Sequence, residues 1–172
     1  MKIKNITKLL IFFFGVLILN VLSPKITQAG FVEVGNAASE LTINSIGLGN
    51  YFDMNKLSSV FGDLLGPARQ ELNDDTQKME IKLFFKRNNA ISFEENKIHS
   101  LLIESERGAN NILLSTPRNI HVGSSLDEVW SAYGRKKVRN DLVSYYFPKY
   151  GSILFYLKNN RVSMIFIIVD ES

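Results

Sequence analysis

Two short amphipathic segments, each closed by a glycine and followed by three β-like runs, constrain the fold of this chain most strongly. The first spans residues 54–61, between Asp53, which suits an N-cap, and Gly62. The second follows Ser125, which has Glu128 three residues further on, as in a capping box. Caps and terminal glycines at these spacings are typical of short helices. The sequence therefore predicts two helices of about two turns.

Apolar runs separated by turn-forming segments, several of them rich in asparagine, follow each predicted helix. Such turns connect antiparallel strands, because asparagine tolerates positive φ. The predicted strands lie at residues 79–86, 90–93, 98–104, 142–147, 152–157 and 162–169. Residues 41–46 suit a short strand or an extended entry, and a polar connector precedes residue 79. Each half thus reads as a helix followed by a three-stranded meander.

The two halves also align with each other. Placing Gly62 on Gly134 preserves the apolar stripe of the helix, and the last hairpins align at a different offset. Shared periodicity without duplication is the alternative explanation. We expect an α+β fold of two tandem units, each a short helix followed by an antiparallel three- to four-stranded meander, packed as one domain. The first unit would span about residues 41–106 and the second about residues 112–169.

The first 29 residues have the pattern of a secretory signal peptide. Three lysines precede an apolar run at residues 9–22, and a polar stretch ends at Ala29. A membrane-spanning helix needs roughly 20 residues, so a retained anchor is the less favoured alternative. We expect a signal peptide at 1–29, a flexible arm at 30–40 and a single domain at 41–172. The product would be secreted, periplasmic or held in the cell envelope, without a stable membrane span after cleavage.

Charge and cysteine content narrow the choice of partner. The predicted signal peptide holds four lysines and no acidic residue, so its removal leaves 16 basic residues against 17 acidic ones. A nucleic-acid partner therefore loses its electrostatic support. The sequence has no cysteine, so the fold has to hold by packing without disulfides.

Catalytic and metal-binding motifs do not stand out from this sequence. It lacks Gly-x-Ser-x-Gly and His-x-x-x-His patterns, and its two histidines, His99 and His121, fall in a predicted strand and before a capped helix. Nucleophilic catalysis and metal binding both need clustered ligands or bases. We predict that the chain is not an enzyme and that it binds no cofactor or metal.

Five residues are candidates for contact with a partner. Tyr146, Tyr150 and Tyr156 crowd one predicted hairpin, and tyrosines on a rigid hairpin offer large contact area at low entropic cost. Packing into the core is the alternative for each of them. Arg135 and Lys136 follow the second helix, where they either complement the helix dipole or meet an anionic partner.

The segment IHVGSSLDEVWSAYG at residues 120–134, with the meander that ends LKNNRVSMIFI at residues 157–167, resembles a recurrent exported bacterial module. It is similar to the repeated unit of β-lactamase-inhibitor proteins and to the small outer-membrane lipoproteins of the β-barrel assembly machinery. A comparable unit occurs in domains attached to some secreted CAP-type proteins. The resemblance implies a helix packed on an antiparallel sheet whose other face or loops bind a protein or envelope partner.

We therefore expect an exported, non-enzymatic protein-interaction module. Its partner would be another exported or envelope protein, either an enzyme to be inhibited or part of an envelope-assembly complex. Binding of a small ligand or an envelope polymer in a groove between the two units is the alternative. A small hydrolase with scattered catalytic residues is the third hypothesis.

Overall fold

The computed structural model describes residues 37–74 and 77–170. The predicted signal peptide and residues 30–36 of the predicted arm lie outside this part. Residues 37–40, the end of the predicted arm, form a helical turn, α1 (Ala37–Glu40). The carboxylate of Glu40 is 2.9 Å from the guanidinium of Arg118, an ion pair that ties this turn to the fold.

A seven-stranded antiparallel sheet contains most of the residues that are in helices or strands in the described part of the chain. Its strands run in the order β3-β4-β5-β6-β9-β8-β7, and a separate two-stranded sheet contains β1 and β2. The strands are β1 (Thr42–Ile43), β2 (Ile46–Gly47), β3 (Arg69–Leu72), β4 (Met79–Phe85), β5 (Asn89–Glu94), β6 (Lys97–Ile103), β7 (Leu142–Phe147), β8 (Gly151–Lys158) and β9 (Arg161–Ile168).

Two eight-residue helices, α2 (Met54–Phe61) and α3 (Leu126–Tyr133), have the predicted caps. The carboxylate of Asp53 accepts hydrogen bonds from the first turn of α2. Ser125 and Glu128 form the predicted capping box at the start of α3. Both caps satisfy backbone N–H groups that a helix start leaves without a partner.

Both helices pack on one side of the large sheet, which we call the inner face. The ring of Phe61 on α2 lies 5.5 Å from the ring of Phe85. On α3, the ring of Tyr133 lies 5.1 Å from that of Tyr145 and 5.3 Å from that of Phe155. On β5 to β9, the strand residues that point to this side are almost fully buried, so the inner face holds the core.

Strands β6 and β9 join the two halves of the sheet. Leu101 pairs with Ile167 and Leu102 pairs with Phe166 across this junction. The hydrogen-bonded ladder runs through it without interruption, so the two meanders share one sheet. The two units that the sequence suggested are therefore joined edge to edge at this point.

The expected fold class, two tandem α+β units packed together, is wrong. The described chain is mainly one continuous antiparallel sheet with few helical residues. Two features account for the difference, and neither is visible as local periodicity. The pairing of β6 with β9 merges the meanders into one sheet, and the segment expected to be a polar connector forms its edge strand, β3, which is within the three to four strands expected for each unit.

Candidate functional site

The side of the large sheet that faces away from α2 and α3 is called the outer face here. Successive side chains of a strand point to opposite faces, so Phe166 lies on the outer face while Ile167 is buried in the core. The strand register places Leu102, Phe166 and Leu154 side by side across three neighbouring strands. This row is apolar, although α2 and α3 cover only the inner face.

Apolar side chains extend beyond this row over four strands, β6 to β9. We call this set the apolar patch. Its members are Leu102, Leu142, Leu154, Tyr156, Met164, Phe166 and Ile168. Except for Leu154, which is 8% exposed, each of them is half-buried. A contiguous apolar surface of this kind on a sheet face is a typical contact surface.

The other end of the outer face, on β3 to β6, is polar. The ammonium nitrogen of Lys82 lies 2.8 Å from a carboxylate oxygen of Glu71 and 3.1 Å from one of Glu80. Burial alone would lower the pKa of Lys82, but the hydrogen bonds and charges of these two carboxylates raise it above its ordinary value. Lys82 is thus the centre of an ion-pair network that joins β3 to β4.

Serine and histidine side chains lie beside this ion-pair network. The hydroxyl groups of Ser92 and Ser100 are 2.7 Å apart and hydrogen-bond each other. A ring nitrogen of His99 is 3.8 Å from the carboxylate of Glu94, which also accepts a 3.0 Å hydrogen bond from the amide of Asn73. These contacts form a cross-strand polar network that stabilises the sheet. In the described residues, no three His, Asp or Glu side chains converge to hold a metal ion.

The three predicted tyrosines lie in different surroundings around β7 and β8. Tyr146 points to the outer face, is 42% exposed and donates a hydrogen bond to the carboxylate of Asp170. Tyr156, on the same face, is half-buried, and burial raises the pKa of its hydroxyl. Tyr150 is 45% exposed in the turn between the two strands. Tyr146 and Tyr156 therefore share a face with the apolar patch.

The two predicted basic residues stack on aromatic rings. The guanidinium of Arg135 lies 4.7 Å from the ring of Trp130, and the ammonium of Lys136 lies 5.0 Å from the ring of Tyr145, an inner-face residue. Burial lowers the pKa of Lys136. Cation–π contacts of this kind fix the chain after α3. The structure therefore does not bring these two residues together with Tyr146 and Tyr156.

Sequence reasoning missed most of the apolar patch, although β9 carries a signal for it. Residues 164–168 of β9 read MIFII, which is apolar at every position. A strand with one solvated face alternates between apolar and polar residues, whereas an unbroken apolar run indicates that both faces meet apolar surroundings. Applied to β9, this rule identifies Phe166 and Ile168 as residues of a second contact surface.

A small cavity lies next to the turn that carries Tyr150. It has a volume of about 170 Å³, and Leu41, Leu48 and Val169 contribute to its mainly apolar wall. Pockets for drug-sized ligands measure roughly 300–1,000 Å³. This cavity has room for a single side chain of a partner or for a few water molecules.

Within the described residues, no helix has the length and apolar character needed to cross a bilayer.

Comparison with known proteins gives one distant likeness. No protein-family model matches this sequence, and no curated protein is significantly similar to it. Among solved structures, the chain is similar to an extracellular protein containing an SCP domain from Bacillus anthracis str. Ames, with 10% sequence identity and a TM-score of 0.44. The similarity covers 87% of this chain and 51% of that one, so the chain spans about half the length of that protein.

Proposed function

We propose that this chain is an exported, non-enzymatic module that binds another exported or envelope protein through the outer face of its sheet. The observation that carries the proposal is the apolar patch, which lies on the face that α2 and α3 leave uncovered. Export rests on the signal-peptide pattern of residues 1–29. Tyr146, at the margin of the patch, supplies a partly exposed aromatic ring of the kind enriched in protein interfaces.

A protein partner fits this surface better than a small ligand does. The patch extends over four hydrogen-bonded strands, so its backbone is rigid and its side chains form a broad surface. Small-molecule sites are concave and bury most of the ligand, whereas the apolar patch lies on the face of a continuous sheet. Protein interfaces combine an apolar centre with a polar rim, and the hydrogen-bonded pair of Ser92 and Ser100 borders the patch on one side, where Ser100 is the cross-strand neighbour of Ile168.

Contacts in the polar network also favour binding over catalysis. A hydrolase of the serine class needs a base that can take the hydroxyl proton. Here the hydroxyl groups of Ser92 and Ser100 bond each other, and the ammonium group of Lys82 is paired with the carboxylates of Glu71 and Glu80. The families that the sequence resembles also use a sheet face or its loops to bind a protein or envelope partner, and the proposal applies that mode to this chain.

A competition experiment tests the proposal. The purified chain is immobilised, envelope and culture fractions of its own cell are passed over it, and the retained protein is identified by mass spectrometry. We expect Phe166→Glu to abolish retention, because it places a charge in the middle of the apolar patch. Free wild-type chain should compete the retained protein off, whereas free Phe166→Glu chain should not.

A matched control separates loss of binding from loss of folding. Ser59→Glu introduces the same charge at an exposed position of α2, on the other side of the sheet. It should retain the partner as well as wild type does, and both variants should melt cooperatively. Equal retention by wild type and Phe166→Glu would contradict the proposal. Retention of a small molecule or glycan, with no protein, would favour the ligand alternative.

A further inference from the structure

The two edge strands of the large sheet, β3 and β7, differ in how far their backbone groups at the sheet edge are already hydrogen-bonded. Leu142 of β7 already exchanges two 3.0 Å backbone hydrogen bonds with Arg139, and β7 contains no charged residue. All four residues of β3 are exposed, and within the described residues β4 is its one strand partner in the sheet. Unpaired edge groups of this kind are a template for pairing with another strand.

The register of β3 with β4 determines which of its backbone groups point outward. The N–H of Asn73 donates a 2.8 Å hydrogen bond to the carbonyl of Lys78, opposite it in the hairpin. In an antiparallel pair, hydrogen-bonded and non-hydrogen-bonded residues alternate. Glu71 is therefore bonded toward β4, whereas the N–H and C=O groups of Gln70 and Leu72 point away from the sheet.

The side chains of β3 carry a charge pattern that is complementary to itself. Arg69 and Glu71 lie on the outer face, where Arg69 is 4.9 Å from the ring of Phe84 and Glu71 pairs with Lys82. If a second β3 pairs antiparallel about a two-fold axis at Gln70, Arg69 of each copy lies opposite Glu71 of the other. Shifting the axis to Glu71 or to Arg69 would instead place like charges opposite each other, which is unfavourable.

Exposed apolar side chains lie at the same edge. Leu72 and its cross-strand partner Met79 are 53% and 55% exposed, although both are large and apolar. In the register centred on Gln70, Leu72 of one copy pairs with Ala68 of the other. The second copy would therefore cover apolar surface that the single chain leaves in water.

We propose that two copies of this chain associate through β3, edge to edge, in an antiparallel register centred on Gln70. The contact is isologous, since the same strand of each copy meets its own counterpart. It joins two seven-stranded sheets into one and leaves the apolar patch of both copies accessible. The dimer is independent of the proposed protein-binding function, because it uses the opposite end of the sheet.

Analytical ultracentrifugation over a range of protein concentrations tests this association. The chain is purified from its own cell, so that it has the form that the cell accumulates. We expect a reversible monomer–dimer equilibrium. Arg69→Glu and Glu71→Arg should each weaken the dimer about tenfold or more, since each creates two like-charge pairs per dimer. An equimolar mixture of the two variants should associate as well as wild type. In the mixed dimer, both acidic side chains of one chain lie opposite basic side chains of the other.

Gln70→Pro is the matched backbone test. Proline removes the outward N–H of Gln70 and none of the hydrogen bonds to β4, so the variant should melt like wild type but remain monomeric. A wild-type chain that sediments as a monomer at every concentration would overturn the proposal. So would a mixture of the two charge variants that fails to restore the dimer, or a Gln70→Pro chain that dimerises like wild type.

Discussion

Phe166 and Ile167 are neighbours on β9, yet their side chains meet different surroundings. Ile167 is fully buried in the core on the inner face, whereas Phe166 is half-buried on the outer face. Both faces of the sheet are apolar at β7 to β9, but α3 packs against only one of them. The described core therefore uses only one of the two apolar faces of β9, and under the proposed function the other face contacts the partner.

The largest difference in stability between the two faces should appear when a phenylalanine on each face is truncated to alanine. Phe155→Ala removes a fully buried ring that packs against Tyr133 and Tyr145. We expect it to lower the free energy of unfolding by about 3–5 kcal/mol. Phe166→Ala, on the outer face, should lower it by only about 1 kcal/mol, since this ring is already partly in water.

Urea denaturation of both variants checks this contrast. If Phe166→Ala costs as much stability as Phe155→Ala, the outer face is part of the core, and the assignment of its apolar residues to binding is wrong. If Phe155→Ala has no measurable folded state, that result also agrees with the expected large loss of stability.

A smaller effect concerns Tyr145, an inner-face tyrosine. Burial raises the pKa of Tyr145 to about 12, above the ordinary tyrosine pKa of about 10. As the pH rises, the unfolded chain therefore loses the Tyr145 proton before the folded chain does. The contribution of Tyr145 to the free energy of unfolding is complete below about pH 10 and is lost toward about pH 12. Tyr145→Phe should flatten the decline in stability over this window.

Unfolding by urea at several pH values between 9 and 12, on the order of one pH unit apart, measures this effect. At neutral pH the variant should lose about 1 kcal/mol, because the 2.6 Å hydrogen bond from the Tyr145 hydroxyl to the carbonyl of Gly134 disappears. An unchanged alkaline slope would show that the Tyr145 hydroxyl ionises as readily in the folded chain as in the unfolded one.

The smallest of the three effects on stability concerns the N-cap of α3, the helix that packs on the inner face. Ser125→Ala removes the side chain that caps α3 and the reciprocal contact with Glu128. We expect a loss of about 1 kcal/mol, with binding to a partner unchanged, because α3 lies on the face opposite the apolar patch. Ser125→Asp keeps a capping oxygen and should restore most of the loss in thermal melts.

Local structure could be predicted from this sequence, whereas its assembly could not. The capping residues Asp53, Ser125 and Glu128 lie within a few positions of the helix starts that they cap. Their spacing in the sequence is therefore sufficient to identify the caps. The six predicted strands also form, because turn residues and apolar runs are local signals. The pairing of β6 with β9 joins residues about 65 positions apart and leaves no local pattern.

The candidate site was predicted only in part for the same reason. Tyr146 and Tyr156 are found on the outer face, but the prediction treated them as members of one hairpin. Their neighbours in the apolar patch come from β6 and β9, and only the sheet order brings these together. The sequence shows Arg135 and Lys136 as a basic cluster, whereas their contacts with the rings of Trp130 and Tyr145 depend on how α3 packs.

Photo-crosslinking in intact cells tests the central claim most directly. A photoreactive phenylalanine analogue is placed at position 166, in the middle of the apolar patch, or at position 59, on the exposed side of α2. We predict a discrete adduct with one envelope or secreted protein from position 166 and none from position 59. Identical adducts from both positions, or an adduct from position 59 alone, would contradict the assignment of the outer face as the binding surface.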